Sequence, residues 1–410
     1  MRLVTPPRPV LFQPKRKKRR ARRYGVVFFA LVVAGVVFQL LRPLPEASIT
    51  LSLRVPQPIA QTTVDWPGEN RAAFAAEGYG VIASHGSTEP LATASIAKVI
   101  TALSVLEKHP LKLNESGPLI PVTVRDVAFY EQQVQKNGSR LPVKEGMQLS
   151  EYQALQALMV PSANNIADTL AIWAFGDTAA YASYANDFLQ RHGLVQTRVG
   201  SDASGLDPST TSTASDLAQL GLLARRNPVL MQIAAQKSVV FPYAGEYENY
   251  NRALGQAGIN GLKTGNNEQN PGALLFTADV PAGETNIHIS GSVMGAESLQ
   301  AALDQSVTLV SSLGDDFEKV TVANKNEPVG MLGTAWGKQA PVRVKGELSV
   351  VRWKGHAIET RQTLAKTDGT QKQTLGAVAL HTAETHTSSS LVLMEPAPEP
   401  SLWWRLTRLR

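Results

Sequence analysis

Apolar positions fall into three regimes along the chain. From Tyr24 to Leu41 they form an uncharged, mostly apolar run of 18 residues. As a helix that run spans roughly 27 Å, close to the hydrocarbon thickness of a bilayer. From about residue 61 to 313 two periodicities alternate. "YGVIASHG" (79–86) reads as a strand, and residues 94–109 as an amphipathic helix with Ile96, Val99, Ile100, Leu103 and Leu106 on its apolar face. Residues 149–173 read as a helix interrupted at Pro161, opened by a capping box of Ser150 and Gln153 and carrying a stripe of Leu155, Leu158 and Met159. "ALLFTADV" (273–280) and "TNIHISGSVMG" (285–295) predict a hairpin, and 297–313 predicts a helix with Leu299, Leu303 and Val307 on one stripe. Strands flanked by helices predict a mixed α/β layer domain over 61–313. Beyond Asp315 and Asp316 only short β-type runs remain, "KVTVA", "PVRVK", "ELSVVRW" and "SSSLVLM", which predict a small β-rich domain over 316–397. Residues 42–60 contain prolines and read as an extended linker, and no internal repeat is present.

Charge sharpens the first regime. The chain has 410 residues and a formal net charge of +6. Residues 1–23 carry ten Lys/Arg and no acid, leaving 30 Lys/Arg against 34 Asp/Glu in the remainder. The basic character therefore belongs to one tail, which points away from a nucleic-acid surface and toward a cytoplasmic segment preceding an outward chain. A cleaved signal peptide is the competing reading, but no small-x-small pair follows the apolar run: Pro45, Glu46 and Ala47 stand there. Residues 1–23 are expected as a basic cytoplasmic tail and 24–41 as an uncleaved signal anchor in the cell membrane, with the rest of the chain extracytoplasmic. Residues 398–410, with paired tryptophans and arginines, fit either a membrane-interface segment or a tail docked on the β domain. The absence of cysteine excludes a thiol nucleophile, disulfides and thiolate metal sites.

Three fragments carry candidate chemistry. In "TASIAKVITAL", Thr93 or Ser95 is placed to cap the helix, and Ser95 and Lys98 share a helical face. A serine hydroxyl needs a base to become a nucleophile. A lysine serves as that base only if burial or nearby cations depress its pKa. In "MVPSANNIAD", Ser162 and Asn164 fall in the break after Pro161, where a hydroxyl and an amide can face one cleft. In "INGLKTGNN", a strand ends beside glycine, and Lys263 and Thr264 offer a cation and a hydroxyl for a carboxylate, with Gly265 permitting close approach. Singly, each has a bland explanation: a capped helix with a surface lysine, a turn, an edge strand guarded by lysine.

Together, S-x-x-K, S-x-N and K-T-G in this order and spacing resemble the penicillin-recognising serine acyl-transferases. "NGSRLPVKEGMQLSEYQALQALMVPSANNIADTLA" and "DASGLDPSTTSTASDLAQL" are similar to D-alanyl-D-alanine carboxypeptidases of the low-molecular-mass penicillin-binding class, and "VDWPGENRAAFA" to actinobacterial forms. The resemblance covers 61–313. It implies an α/β (α+β) serine transpeptidase/β-lactamase-like domain followed by a small all-β domain, with an N-terminal transmembrane helix that departs from the family's usual C-terminal anchor. It also implies removal of the terminal D-alanine from peptidoglycan pentapeptide stems, binding of β-lactams, and no metal or other cofactor. Ser95 is then the expected nucleophile, Lys98 its base and Ser162 a proton relay. Asn164, Lys263, Thr264, Gly265 and Asn266 are expected to bind substrate, with the N–H groups of Ser95 and Asn266 as the oxyanion hole. Two alternatives remain. A β-lactamase shares the motifs, although "GSDASGLDPSTTSTASD" offers no glutamate for deacylation, and a tethered wall-binding scaffold would have lost turnover.

Overall fold

The structure, a computed structural model, describes residues 16–59, 64–282, 285–382 and 385–408. The chain begins with helix α1 (Arg16–Leu41), whose Arg22–Leu41 portion has a mean hydropathy of 2.4 and no buried residues. By length and composition it can cross a membrane. Residues 1–15 of the expected basic tail lie outside the described residues.

The next segment corrects the linker expectation for 42–60. Residues Ser48–Leu51 form an edge strand antiparallel to Pro328–Gly333, in register Ser48↔Gly333 to Leu51↔Gly330. Ile49, Leu51, Leu53 and Val55 recur every second residue and pack on the β-domain core. Further along, Arg352, buried with 1% exposure, donates to the carbonyls of Pro56 (2.9 Å) and Gln57 (3.0 Å). The segment is thus part of the β domain, held by strand pairing and a buried guanidinium.

The larger layer domain is built on a five-stranded antiparallel sheet ordered 259–265, 272–282, 285–296, 71–76, 80–85. Strand Arg71–Ala76 is covered on both faces: Ala73 and Ala75 face a helical layer, and Ala72, Phe74 and Ala76 face the opposite side. The helical layer comprises α2 (Ala97–Lys108), α3 (Val124–Gln135), α4 (Glu151–Met159), α5 (Asn164–Phe175), α6 (Thr178–Arg191), α7 (Ala214–Arg225) and α8 (Pro228–Ala234), whereas α9 (Leu299–Leu313) covers the other face. Helix α2 is not the half-exposed amphipathic helix its pattern predicts. Ala97 to Leu106 are buried without a break, because α4, α5, α6 and α7 surround it. Of its buried hydroxyls, that of Thr101 is satisfied inside, donating to the Ala203 carbonyl at 2.7 Å and lying 2.7 Å from the Tyr181 hydroxyl, whereas Ser104 Oγ is buried without a hydrogen-bond partner.

The β domain is a six-stranded sheet ordered 48–51, 328–333, 339–344, 385–393, 373–382, 359–364, beside a ribbon of 317–323 with 348–353. Trp353 and Phe317 reach the α/β domain, with Trp353 5.2 Å from Phe74 between ring centroids. The chain closes on itself through α10 (Leu402–Thr407). Gln39 Nε2 donates to the Arg408 carbonyl (2.6 Å), and Arg408 donates to the carbonyls of Arg42 (2.5 Å) and Pro43 (3.1 Å). Trp404 packs edge-on against Trp336 of the β domain, 5.6 Å away, while Trp403 is 75% exposed. Trp404 is thus docked on the β domain, and residues 409–410 lie outside the described residues.

Candidate active site

Ser95 lies in a short 3-10 turn, Ala94–Ile96, that runs directly into α2. Thr93 makes no side-chain cap there, contrary to expectation; its hydroxyl instead donates to the Thr210 carbonyl at 3.3 Å. The turn carries strain. Ala94 has φ +47°, a region alanine seldom adopts. Two glycines make room for it. A Cβ on Gly205, where φ is +79°, would lie 2.0 Å from the Ala94 carbonyl oxygen, and one on Gly265 would lie 2.8 Å from that of Thr93.

Three residues after Ser95, Lys98 is fully buried, and its ammonium donors are all engaged: Ser95 Oγ at 2.8 Å, Asn164 Oδ1 at 2.7 Å and the Ser204 carbonyl at 2.9 Å. Burial lowers its pKa from the usual lysine range to about 7, against the opposing pull of Asp202 and Asp168. The amide of Asn164 is oriented by Gln133, whose Oε1 accepts from Asn164 Nδ2 at 3.0 Å and so turns Oδ1 toward the lysine. Asn165 holds the loop opposite, accepting from the Leu141 N–H and donating to its carbonyl, both at 3.0 Å.

Ser162 occupies the break between α4 and α5 with φ +59°, and its Oγ is buried with no hydrogen-bond partner. A strained, unsatisfied hydroxyl two residues from Asn164 is an open valence for a bound molecule. Lys263, on the edge strand Ile259–Gly265, is 2% exposed, and its ammonium donates only to the neighbouring Thr264 carbonyl at 3.2 Å and, weakly, its hydroxyl. Burial, and then the charge of Lys98, push its pKa well below the usual lysine value. Thr264 and Gly265 are buried at the end of that strand, and Asn266 is exposed just beyond it.

Ser95, Lys98 and Asn164 thus form one hydrogen-bonded cluster, and Lys263 is close enough to Lys98 for the two charges to oppose each other. A cavity of about 860 Å³ opens at the other end of the sheet, lined by Arg225, Met231, Asn260 and His288, and takes in none of these residues. Sequence reasoning missed Gln133, Ser204, Asp168 and Asp202. Ser204 contributes only a carbonyl, which any residue would supply. Asp168 had a signal, its i+4 spacing from Asn164.

The sequence model describing D-alanyl-D-alanine carboxypeptidases matches residues 74–298. The chain belongs to the D-alanyl-D-alanine carboxypeptidase family. It is similar to D-alanyl-D-alanine carboxypeptidase DacC of Escherichia coli, 28% identical over 294 residues that cover 69% of this chain and 71% of the relative. It is also similar to D-alanyl-D-alanine carboxypeptidase DacB2 of Mycobacterium tuberculosis, 34% identical over 152 residues, 36% of this chain and 47% of that one. In fold it resembles penicillin binding protein 5 from Haemophilus influenzae, with a TM-score of 0.56 at 18% identity, covering 84% of this chain and 100% of that one. This carboxypeptidase is a serine-type peptidase, and the half-buried Ser95 beside the buried Lys98 is a pair whose chemistry suits that class. A lysine with a pKa of about 7 is half neutral at neutral pH, and in the neutral form its lone pair can accept the Ser95 proton.

Proposed function

We propose that this carboxypeptidase removes the terminal D-alanine from peptidoglycan stem pentapeptides through an acyl-enzyme on Ser95. The observation that carries the reading is the Lys98 amine, buried, partly neutral and 2.8 Å from Ser95 Oγ. Lys98 accepts the hydroxyl proton as Ser95 attacks the carbonyl between the last two D-alanines. The N–H groups of Ser95 and Asn266 receive the oxyanion. Ser162, whose hydroxyl has no partner, passes a proton to the departing amine. Lys263 and Thr264 bind the free terminal carboxylate, which supplies the anion that Lys263 lacks. An extended peptide can lie along the free edge of strand Ile259–Gly265, with Asn164 binding its amide. Water then hydrolyses the ester. A β-lactam acylates the same serine and leaves slowly.

The same reading places the enzyme at the outer face of the cell membrane. Helix α1 spans the bilayer with its arginine- and lysine-rich start in the cytoplasm. Arg42, Arg408 and the exposed Trp403 then lie at the outer interface, where tryptophan and arginine are favoured.

Release of D-alanine from a synthetic pentapeptide by the membrane-extracted protein tests the reaction. The expected result is release by the wild type and none by Ser95→Ala or Lys98→Ala, both of which keep their cooperative melting. Normal acylation of Lys98→Ala by a fluorescent penicillin would refute its role as base. Rapid turnover of the penicillin adduct would instead favour a β-lactamase.

A further inference from the structure

Asp168 lies on α5 one turn beyond Asn164, on the same helical face. It is half-buried, and its Oδ1 is shielded from solvent with no hydrogen-bond partner. The main-chain N–H of Ala203 faces its carboxylate. The Ala203 carbonyl accepts from Thr101 of α2, and the next carbonyl, Ser204, accepts from Lys98. A strip of main chain, Asp202–Ser204, thus runs between Asp168 and the catalytic amine. Asp202 closes that strip into a loop, accepting from Ser204 Oγ (2.8 Å) and from the N–H groups of Gly205 and Leu206 (both 3.0 Å). Two carboxylates therefore stand behind Lys98. Neither is its hydrogen-bond partner, since its three donors go to Ser95, Asn164 and Ser204.

We propose that Asp168 is a positioning residue for the acylation step: acting with Asp202 across this strip, its charge sets how strongly Lys98 holds a proton. The inference rests on Lys98 being the base for Ser95.

The physical need is a compromise. Burial makes an amine available in neutral form but a poor base; a carboxylate at its back restores base strength at some cost in availability. In Lys98 the balance falls at about 7. Asp168 carries a cost of its own. Burial and the nearby charge of Asp202 raise its pKa to about 6, so it is ionised where the lysine titrates and becomes protonated in mild acid. The other groups around the pair are accounted for. Lys263 opposes Lys98 from the edge strand, Lys136 at the end of α3 favours the Asp168 anion, and Tyr181 of α6 stays a neutral phenol bonded to Thr101.

The test uses the full chain and the rate of acylation by a fluorescent penicillin between pH 5 and 9. Asp168→Asn preserves shape and removes the charge. The half-maximal pH of the acidic limb is expected to fall by about half a unit to one unit, and the alkaline plateau to drop severalfold as the base weakens. A purely structural role would lower the plateau and leave the midpoint where it was, which would overturn the proposal, as would an upward shift. Asp168→Ser, smaller and also neutral, should move the midpoint in the same direction. If neither variant folds, Asp168 has a structural task and the proposal fails. Wild-type protein that never labels at Ser95 would sink the proposed function itself; a titrating wild type whose midpoint the variants share would sink only the role of Asp168.

Discussion

The substitution Asn164→Asp tests the electrostatics of the site with almost no change of shape. It places a carboxylate oxygen where the amide oxygen now accepts from Lys98 at 2.7 Å. An opposite charge at such a distance raises an amine's pKa by about 1–3 units, moving Lys98 from about 7 toward the 8–10 range. At pH 7 the neutral fraction falls from about one half to somewhere between about a tenth and a thousandth. If the neutral amine takes the serine proton, acylation at pH 7 slows by about five-fold to several hundred-fold. The loss should recover as pH rises, because the variant's acidic limb is displaced, not abolished. Gln133 can turn its amide to donate to the new carboxylate, so the loop need not open. The assay is the second-order rate of acylation by a fluorescent penicillin from pH 6 to 10.5, with melting temperatures measured alongside. An equal loss at every pH, with the midpoint unmoved and the fold intact, would refute the assignment of Lys98 as the titrating base.

Other outcomes follow from the packing. Gly205→Ala forces a Cβ to within 2.0 Å of the Ala94 carbonyl at a backbone φ of +79°; it should cost about 3 kcal/mol or more, seen as a lower melting temperature together with lost penicillin labelling. A soluble form beginning at residue 43 should keep the β domain intact, whereas one beginning at residue 58 loses the strand Ser48–Leu51 and the carbonyls that Arg352 binds; faster proteolysis of 317–393 in the shorter form checks this. Glu151 is buried with neither carboxylate oxygen hydrogen-bonded, and burial lifts its pKa to about 7. A raised carboxyl pKa means the folded state binds the extra proton, so its ionisation costs stability progressively between about pH 4.5 and 7 and by a constant amount above. Glu151→Gln should gain in melting temperature relative to wild type across that window and level off beyond it.

How much was legible in the sequence depended on whether a feature has a side-chain signature. The serine–lysine pair, the Pro161 break and the "LKTG" strand end announce themselves by residue type and spacing, and the helix starting at Ser150 by its capping box, which forms as written. Backbone acceptors leave no such trace. Nothing in "DASG" says that the Ser204 carbonyl will be the third partner of Lys98. The burial of Thr101 and Ser104 on α2 was hidden for a related reason: a polar residue reads as exposed until the neighbouring helices that cover it are in place. The strand at 48–51 was obscured by prolines on both sides, although "SITLSLRV" keeps the alternation of a half-buried strand. Gln133 lies in a polar stretch of α3 where its neighbours are chemically equivalent, and only the contact with Asn164 singles it out.

The most direct test of a buried amine activating Ser95 is intact-mass analysis after a brief exposure to benzylpenicillin at pH 8, followed by mapping of the modified peptide. The account predicts one drug molecule per chain, esterified to Ser95, in wild-type protein and none in Lys98→Ala. A drug adduct on any other residue, or an adduct on Ser95 formed at an undiminished rate without Lys98, would contradict it.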